Sequence, residues 1–422
     1  MKIVKMSLVA ALLVGSSAFA IENVKVAGDA KLFYSTQDDS SSDENRELFG
    51  KSSSMGEAAI SLGLTADLTE GISAGVTGNA VSTLGLYNNM VSSTWTGETE
   101  DTFLFSEAWL AATYGKTTGK VGRMQLDTPL VFSETWSVVP STFEAAVIIN
   151  QDIKDTTLVG AFVGQYNAPS VLGGGLSNAT SSFESFHKGA YAIGAVNNSF
   201  APVTAQAWYY NADANLDLNE LDDTIPVDTA YLTGVQASWL QADLDLEGVL
   251  AGAQYTGINY DAAGKSFDNN AFAMMLGYAM KDTFTAKIAY SAVGEEKDST
   301  LALGAGANLA GSQSKLYTEA WWSYGQITQA DTSALNITVT APVADLFDAG
   351  IYYTQAKIGK NGDSAAVEKD FTEATFEIAK SFGPLDTGLY YIYTKHDDWN
   401  VKAGETKGDA FNTVQVYLTY NY

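Results

Sequence analysis

The sequence predicts an all-β protein, a closed transmembrane antiparallel β-barrel of about 18 strands with one loop folded inward as a constriction. Three observations predict it. Segments that alternate apolar and polar residues recur along the chain after residue 20, and the connections between them alternate between short and long. No apolar run in that region approaches the ~20 residues a spanning helix requires. A chain that crosses a bilayer without such helices must satisfy its backbone hydrogen bonds between strands, which only a closed barrel achieves.

The elements follow in order. Lys2 and Lys5 form a charged end, residues 6–14 an apolar stretch, and Ser17, Ala18 and Ala20 a small-residue ending, the layout of a secretory leader. The expectation is a signal peptide over 1–20 and one barrel domain over 21–422. The first strand, 24–34, puts Val24, Val26, Gly28, Ala30, Leu32 and Tyr34 on one face and Lys25, Ala27, Asp29, Lys31 and Phe33 on the other. That is the alternation of a strand set between lipid and water. Further strands are expected at 56–67, 71–82, 103–114, 119–125, 143–149, 156–166, 188–198 and 202–211. The second half adds 228–239, 243–255, 270–280, 283–292, 331–341, 347–357, 370–382, 385–395 and 410–422, for 18 in all.

Short connections at 68–70, 115–118, 281–282 and 383–384 alternate with long ones at 37–55, 167–187, 212–227, 358–369 and 396–409. Tight periplasmic turns and larger external loops produce this asymmetry. Residues 317–324 are read as part of an external loop, because a further strand there breaks the even count. The last strand alternates Val414, Val416, Leu418, Tyr420 and Tyr422 with polar residues and ends on an aromatic, which resembles the insertion signal of outer-membrane barrels. Tyr34, Tyr114, Tyr166, Tyr209, Tyr210, Trp239, Tyr255, Tyr278, Phe382 and Tyr422 fall near segment ends, where an interfacial girdle is expected.

Composition narrows the function. Charged residues are 17% of the chain, below the roughly 25% of soluble domains, while aromatics are 12% and glycines number 38. The 23 basic and 49 acidic residues give −26; without the leader's two lysines, 21 against 49 leaves −28. A field of that sign favours small cations and excludes nucleic acid, which needs a basic footprint. With no cysteine, disulfides, thiol nucleophiles and thiolate metal sites are absent. His187 and His396 are the only histidines and no nucleophile motif accompanies them, so the protein is read as no enzyme. Gly173, Gly174 and Gly175 lack the lysine of a phosphate loop and read as a flexible turn, and the acid runs at 38–47 and 217–223 lack the spacing of a calcium loop and read as solvated surface charge.

The stretch 122–158 stands apart. It runs Gly122, Arg123, Met124, Gln125, Leu126, Asp127, Thr128, Pro129, Leu130, then Val139 to Glu144, then Asn150, Gln151, Asp152 and Ile153. This pattern resembles the OprD-like and major outer membrane porin superfamily, including epsilonproteobacterial porins, and Trp322 to Gly325 and the strand count agree with it. The resemblance implies a homotrimer in the outer membrane, in contact with its lipid, that passes small hydrophilic solutes through a lumen narrowed by the loop after the fifth strand. It implies a pore constriction at Arg123, Asp127, Glu134 and Glu144. Lys25, Lys31 and Lys287 lie on polar strand faces and are candidates for a basic lumen wall opposite. Only Arg46 and Arg123 are arginines, so the ladder of arginines in carboxylate-specific members is missing and a general, cation-preferring porin is expected. Calcium held by Asp127, Glu134 and Glu144 is compatible with that branch, and no other cofactor is implied. The alternatives are a substrate-specific channel of the same fold and a non-conducting adhesion or calcium-binding surface protein.

Overall fold

The structure, a computed structural model, describes residues 21–39, 46–167, 183–212, 216–217, 231–262, 265–296, 304–310, 313–360, 367–401 and 404–422. The leader at 1–20, Gly173 to Gly175 and most of the acid run at 217–223 lie outside the described residues. The strands in chain order are β1 (Glu22–Gln37), β2 (Ser54–Thr69), β3 (Ile72–Ser82), β4 (Thr102–Tyr114), β5 (Thr117–Met124), β6 (Phe143–Asn150) and β7 (Thr156–Tyr166). There follow β8 (Glu184–Phe200), β9 (Val203–Ala212), the two-residue β10 (Leu216–Asp217), β11 (Tyr231–Leu246), β12 (Val249–Ala262) and β13 (Lys265–Met280). The ring is completed by β14 (Phe284–Val293), β15 (Thr332–Val343), β16 (Phe347–Ile358), β17 (Lys369–Phe382), β18 (Leu385–His396) and β19 (Phe411–Asn421).

Each wall strand pairs antiparallel with its sequence neighbours, β9 pairs directly with β11, and β1 pairs with both β2 and β19. Since β10 pairs only with β11, the closed wall has the 18 strands the alternation predicts. Short turns gather at one rim. The long connections gather at the other, with one exception, the two residues between β12 and β13. The stretch 317–324 forms no strand, as expected, and β15 begins only at Thr332.

Alternation sorts the side chains. Ile60, Leu62, Leu110, Ile148, Ile193, Leu240, Met274, Leu276, Ile288, Ile351, Phe376 and Leu389 are exposed on the outer face, an apolar band suited to lipid. The lumen face mixes polar and small residues with buried aromatics such as Phe33, Trp208 and Phe371, and its polar groups pair: Ser61 Oγ donates to Asn79 Oδ1 at 2.5 Å, and Asn79 Nδ2 donates to Ser106 Oγ at 2.7 Å. Of the expected girdle aromatics, Tyr114, Tyr209, Tyr255, Tyr278, Phe382 and Tyr422 are exposed outward. Tyr166, Tyr210 and Trp239 are instead buried in the interior: Tyr210 and Trp239 share strand parity with the lumen-side Trp208 and Ala237, and a register shift after Val163 turns Tyr166 inward.

The closing seam is tight at Gly28. Its N–H donates to the carbonyl of Tyr422 at 3.1 Å and its carbonyl accepts from the Tyr422 N–H at 3.0 Å, while the Tyr422 hydroxyl donates to the Ser61 carbonyl at 2.6 Å. A Cβ at Gly28 would sit 2.1 Å from the Ser61 carbonyl oxygen and 2.9 Å from the Tyr422 ring. Gly28→Ala is therefore expected to destabilise the seam by about 1–3 kcal/mol. Thermal unfolding followed by the gel-mobility change of the compact barrel reads this, and an unaltered transition temperature would contradict the geometry.

Candidate pore constriction

The loop after β5, residues 125–142, turns inward as expected. Leu126, Leu130 and Val131 pack into one interior cluster, and Val138 and Val139 into a second. A second inward segment accompanies it. The connection from β14 to β15, expected as an external loop, places Ala305, Leu309, Leu316, Ala320 and Ile327 in the first cluster and Trp322 in the second. The two segments bond to each other: Leu309 N–H donates to the Leu130 carbonyl at 2.7 Å, and Asn308 Nδ2 donates to the Phe132 carbonyl at 2.9 Å. Apolar side chains from both loops bury against small and aromatic lumen residues of the wall, such as Ala237, Trp239 and Phe371, which accounts for the inward fold.

The connection between β3 and β4 adds Trp95. Its ring lies 4.6 Å from Trp136 and 6.1 Å from Phe33, and Trp136 lies 5.2 Å from Trp322. Wall carboxylates hold these loops by their backbone. Glu57 on β2 accepts from Thr96 N–H at 3.0 Å and Thr96 Oγ1 at 2.7 Å. Glu373 on β17 accepts from Trp322 N–H at 2.9 Å and Ser323 N–H at 2.8 Å.

Two further acids belong to the loops themselves, Glu134 buried and Glu319 half-buried. Glu134 Oε1 accepts from Ser137 N–H at 2.7 Å, and Glu319 Oε1 accepts from Ala320 N–H at 2.9 Å, while Oε2 of each has no hydrogen-bond partner among the described residues. Burial pushes the Glu134 carboxyl up to about 7 against the opposing Ser137 N–H and the nearby Lys31. It pushes Glu319 up to about 8, reinforced by Glu373.

The opening lies between the two loops and the wall of β9, β11 and β12. A cavity of about 430 Å³ is lined by Asp127, Pro129, Gln206, Gln241, Gln254, Lys315 and Tyr317. Lys315 Nζ pairs with Asp127 Oδ1 and lies 4.8 Å from the Phe132 ring centroid. Gln254 Nε2 donates to the Lys315 carbonyl at 2.9 Å and its Oε1 accepts from Tyr317 N–H at 3.1 Å, pinning the loop to the wall. The Tyr317 hydroxyl donates to Asp243, and Trp208 and Trp239 fix Gln206 and Gln241 with indole N–H bonds of 2.9 Å each. The lining is thus one ion pair and a set of oriented amides, all held by second contacts.

The expected site residues separate into three groups. Asp127 stands at the opening, its side chain 89% exposed. Glu134 is in the same loop but faces the packed interior. Arg123 and Glu144 form a 2.7 Å ion pair on the outer face of the wall, and Arg123 Nη1 donates to the Phe105 carbonyl at 2.8 Å. Their strand partners explain this. Arg123 shares its face with the exposed Val121 and Glu144 with the exposed Ile148, whereas the adjacent Met124 and Phe143 point inward and are buried. The constriction expected at Arg123 and Glu144 is corrected accordingly.

Calcium at Asp127, Glu134 and Glu144 is corrected for the same reason. The three carboxylates diverge, and no group of three or more metal-ligating side chains occurs among the described residues. Of the basic candidates, Lys31 faces the lumen and donates to the Ser137 carbonyl at 3.3 Å, beside the inward loop. Lys25 and Lys287 share lumen-side parity with it but lie toward the short-turn rim, exposed and below the constriction. His396 packs on Trp399 at 4.6 Å and its Nδ1 accepts from Asp398 N–H, a packing role.

Sequence reasoning missed Lys315, Tyr317, Gln206, Gln241 and Gln254. The strand alternation placed Gln206 and Gln254 within expected strands and left Gln241 in the connection between two of them, and no signal marked the segment before β15 as inward.

No protein-family model matches the chain, and no curated protein matches it. Solved structures do match in fold. The structure of Pseudomonas aeruginosa OpdK with vanillate aligns at a TM-score of 0.69 and 12% identity, covering 95% of this chain and 99% of that one. Pseudomonas aeruginosa OccK8 (OprE) aligns at 0.68 and 14% identity over 96% and 99%, and OccK3 (OpdO) of the same organism at 0.66 and 12% over 95% and 96%. The barrel therefore shares the fold of these three structures.

Proposed function

We propose that the protein is a channel of the Gram-negative outer membrane through which small hydrophilic solutes and ions diffuse passively, with a preference for cations. The observation that carries this reading is the polar opening between two inward loops and the wall, lined by Asp127, Lys315 and three glutamines. The apolar outer band supports a membrane setting, and the fold shared with OpdK, OccK8 and OccK3 supports the channel class. A homotrimer, implied by the sequence resemblance, belongs to the same proposal.

The mechanism is sieving followed by electrostatic bias. The loops reduce a wide lumen to a narrow passage, and the charges there set the ion preference. Because Asp127 and Lys315 neutralise each other, the cation preference rests on Asp127 offsetting Lys315 and on the lumen acids Glu107, Asp243 and Glu377. Asp127→Asn leaves the Lys315 charge unopposed and is expected to move the reversal potential in a salt gradient toward anions. Glu144→Gln, on the outer face, is expected to leave it in place. Equal shifts in both variants, or none in Asp127→Asn, would refute the assignment.

The oriented glutamine amides favour a second reading, a channel with a saturable preference for an uncharged polar solute. Single-channel current in a planar bilayer separates the two, since only the second shows competitor-sensitive saturation. Folded, inserted protein without conductance would remove both and favour a non-conducting surface protein.

A further inference from the structure

Five lumen-side glycines are covered by aromatic rings. A Cβ at Gly75 would strike Trp109 at 2.5 Å, at Gly194 Trp208 at 2.2 Å, at Gly252 Tyr317 at 2.3 Å, at Gly350 Tyr352 at 2.8 Å and at Gly388 Tyr390 at 2.7 Å. The missing side chains let these rings lie close against the wall. Besides Asp243 at Tyr317, in the opening already described, two of the places carry a carboxylate with its charge toward the lumen. At the first, Trp109 Nε1 donates to Glu107 at 3.2 Å, and the Lys120 ammonium sits 4.2 Å from the Trp109 ring centroid. The protein's own side chain thus fills a site made of one carboxylate and one ring face.

The second place is larger and holds no such lysine. On β17, Glu377 accepts from the Tyr352 hydroxyl at 2.6 Å and the Tyr390 hydroxyl at 3.0 Å, which fixes both rings around it. Trp321, from the second inward loop, stacks on Tyr390 at 4.3 Å and lies 6.4 Å from Tyr352. All four side chains are half-buried rather than sealed. No described basic side chain pairs with Glu377. The group lies beneath the loops, on the short-turn side of Glu373, where permeating solute passes.

We propose that Glu377, Tyr352, Tyr390 and Trp321 form a binding subsite for organic ammonium ions in the lumen, the external counterpart of the place that Lys120 occupies at Trp109 and Glu107. This rests on the channel reading above and names a permeant class for it. A carboxylate supplies the charge, and ring faces supply the cation–π attraction and the apolar contact that an alkylated ammonium requires and a hydrated potassium ion does not.

The test uses tetramethylammonium chloride as the probe. Its concentration-dependent reduction of potassium current is measured on single channels of the full barrel, and quenching of tryptophan fluorescence is measured on the same protein in detergent. Saturable block is expected in the wild type, weakened about tenfold in Glu377→Gln and in Trp321→Leu. Glu377→Gln keeps an acceptor oxygen for one tyrosine hydroxyl and offers an amide N–H to the oxygen of the other, so the fold is retained. Lys120→Met, which frees Trp109 and Glu107, is expected to add a second saturable component. Potassium current with no saturable block, or block unchanged in both Glu377→Gln and Trp321→Leu, overturns the subsite while leaving the channel intact. Absence of potassium current overturns the channel reading instead, and the fluorescence titration still decides the subsite.

Discussion

Glu373→Ala is expected to raise single-channel conductance several-fold and to make the current noisy, because it releases the second inward loop from the wall. Two backbone donors, Trp322 N–H and Ser323 N–H, lose a shared acceptor at 2.9 and 2.8 Å in a region where water does not replace it. A charge-assisted hydrogen bond contributes about 1.5–3 kcal/mol, and an orphaned buried donor costs about 1–3 kcal/mol. The loop's remaining ties lie at other points along it: the rings of Trp321 and Trp322, the Leu309 and Asn308 bonds to the first loop, the Lys315–Asp127 pair, the Gln254 and Tyr317 bonds to the wall, and the apolar packing of Leu309, Leu316 and Ile327. The barrel wall itself does not depend on Glu373, since the register of β17 with β16 and β18 is set by backbone pairing. The variant therefore should remain a barrel while its lumen opens. Conductance equal to the wild type would show that the loop is held by packing alone. Glu373→Gln, which retains one acceptor oxygen, is expected to lie between the two.

Alkaline pH is expected to loosen the same packed loops. The carboxyls of Glu134 and Glu319 are raised to about 7 and about 8 in the tucked arrangement, against an ordinary value of 4.5. A group raised in this way stabilises the tucked state fully below the ordinary value, and the contribution is lost as pH rises through 7 and then 8. For Glu134 the loss is on the order of 3 kcal/mol. The groups facing them fix the sign: Lys31 partly offsets the charge of Glu134, whereas Glu373 opposes that of Glu319, and Tyr324 lies among all three acids. Current fluctuations and the fluorescence of Trp136 and Trp322 should therefore change between pH 5 and pH 9. In a Glu134→Gln, Glu319→Gln double variant both should become flat across that range; a wild-type response that persists there would assign it to other groups.

The wall was legible in the sequence because each strand answers to two solvents. Lipid on one side and water on the other impose a period of two, and that signal survives from Val24 to Tyr422 without any help from tertiary contacts. The interior was less legible. Residues 304–331 mix small and aromatic residues with no period, since a segment packed irregularly against a lumen has no repeating boundary to obey. The facing of Arg123 and Glu144 fell between these cases. Strand parity with Val121 and Ile148 would have placed both outward, but the resemblance to a constriction loop drew them in, and one residue of offset reverses the face. Glu57 and Glu373 were readable as acids on lumen faces, yet nothing local in the chain announces the distant N–H groups they hold.

The pairing of β1 with β19 bears on how the protein is made. These two strands meet only after every strand between them has been placed, so ring closure joins segments from opposite ends of a 422-residue chain. Contacts of such separation are slow to form, and until they do β1 and β19 each present an unpaired edge able to recruit another chain. The nascent barrel therefore needs its free edges shielded until Gly28 and Tyr422 come together.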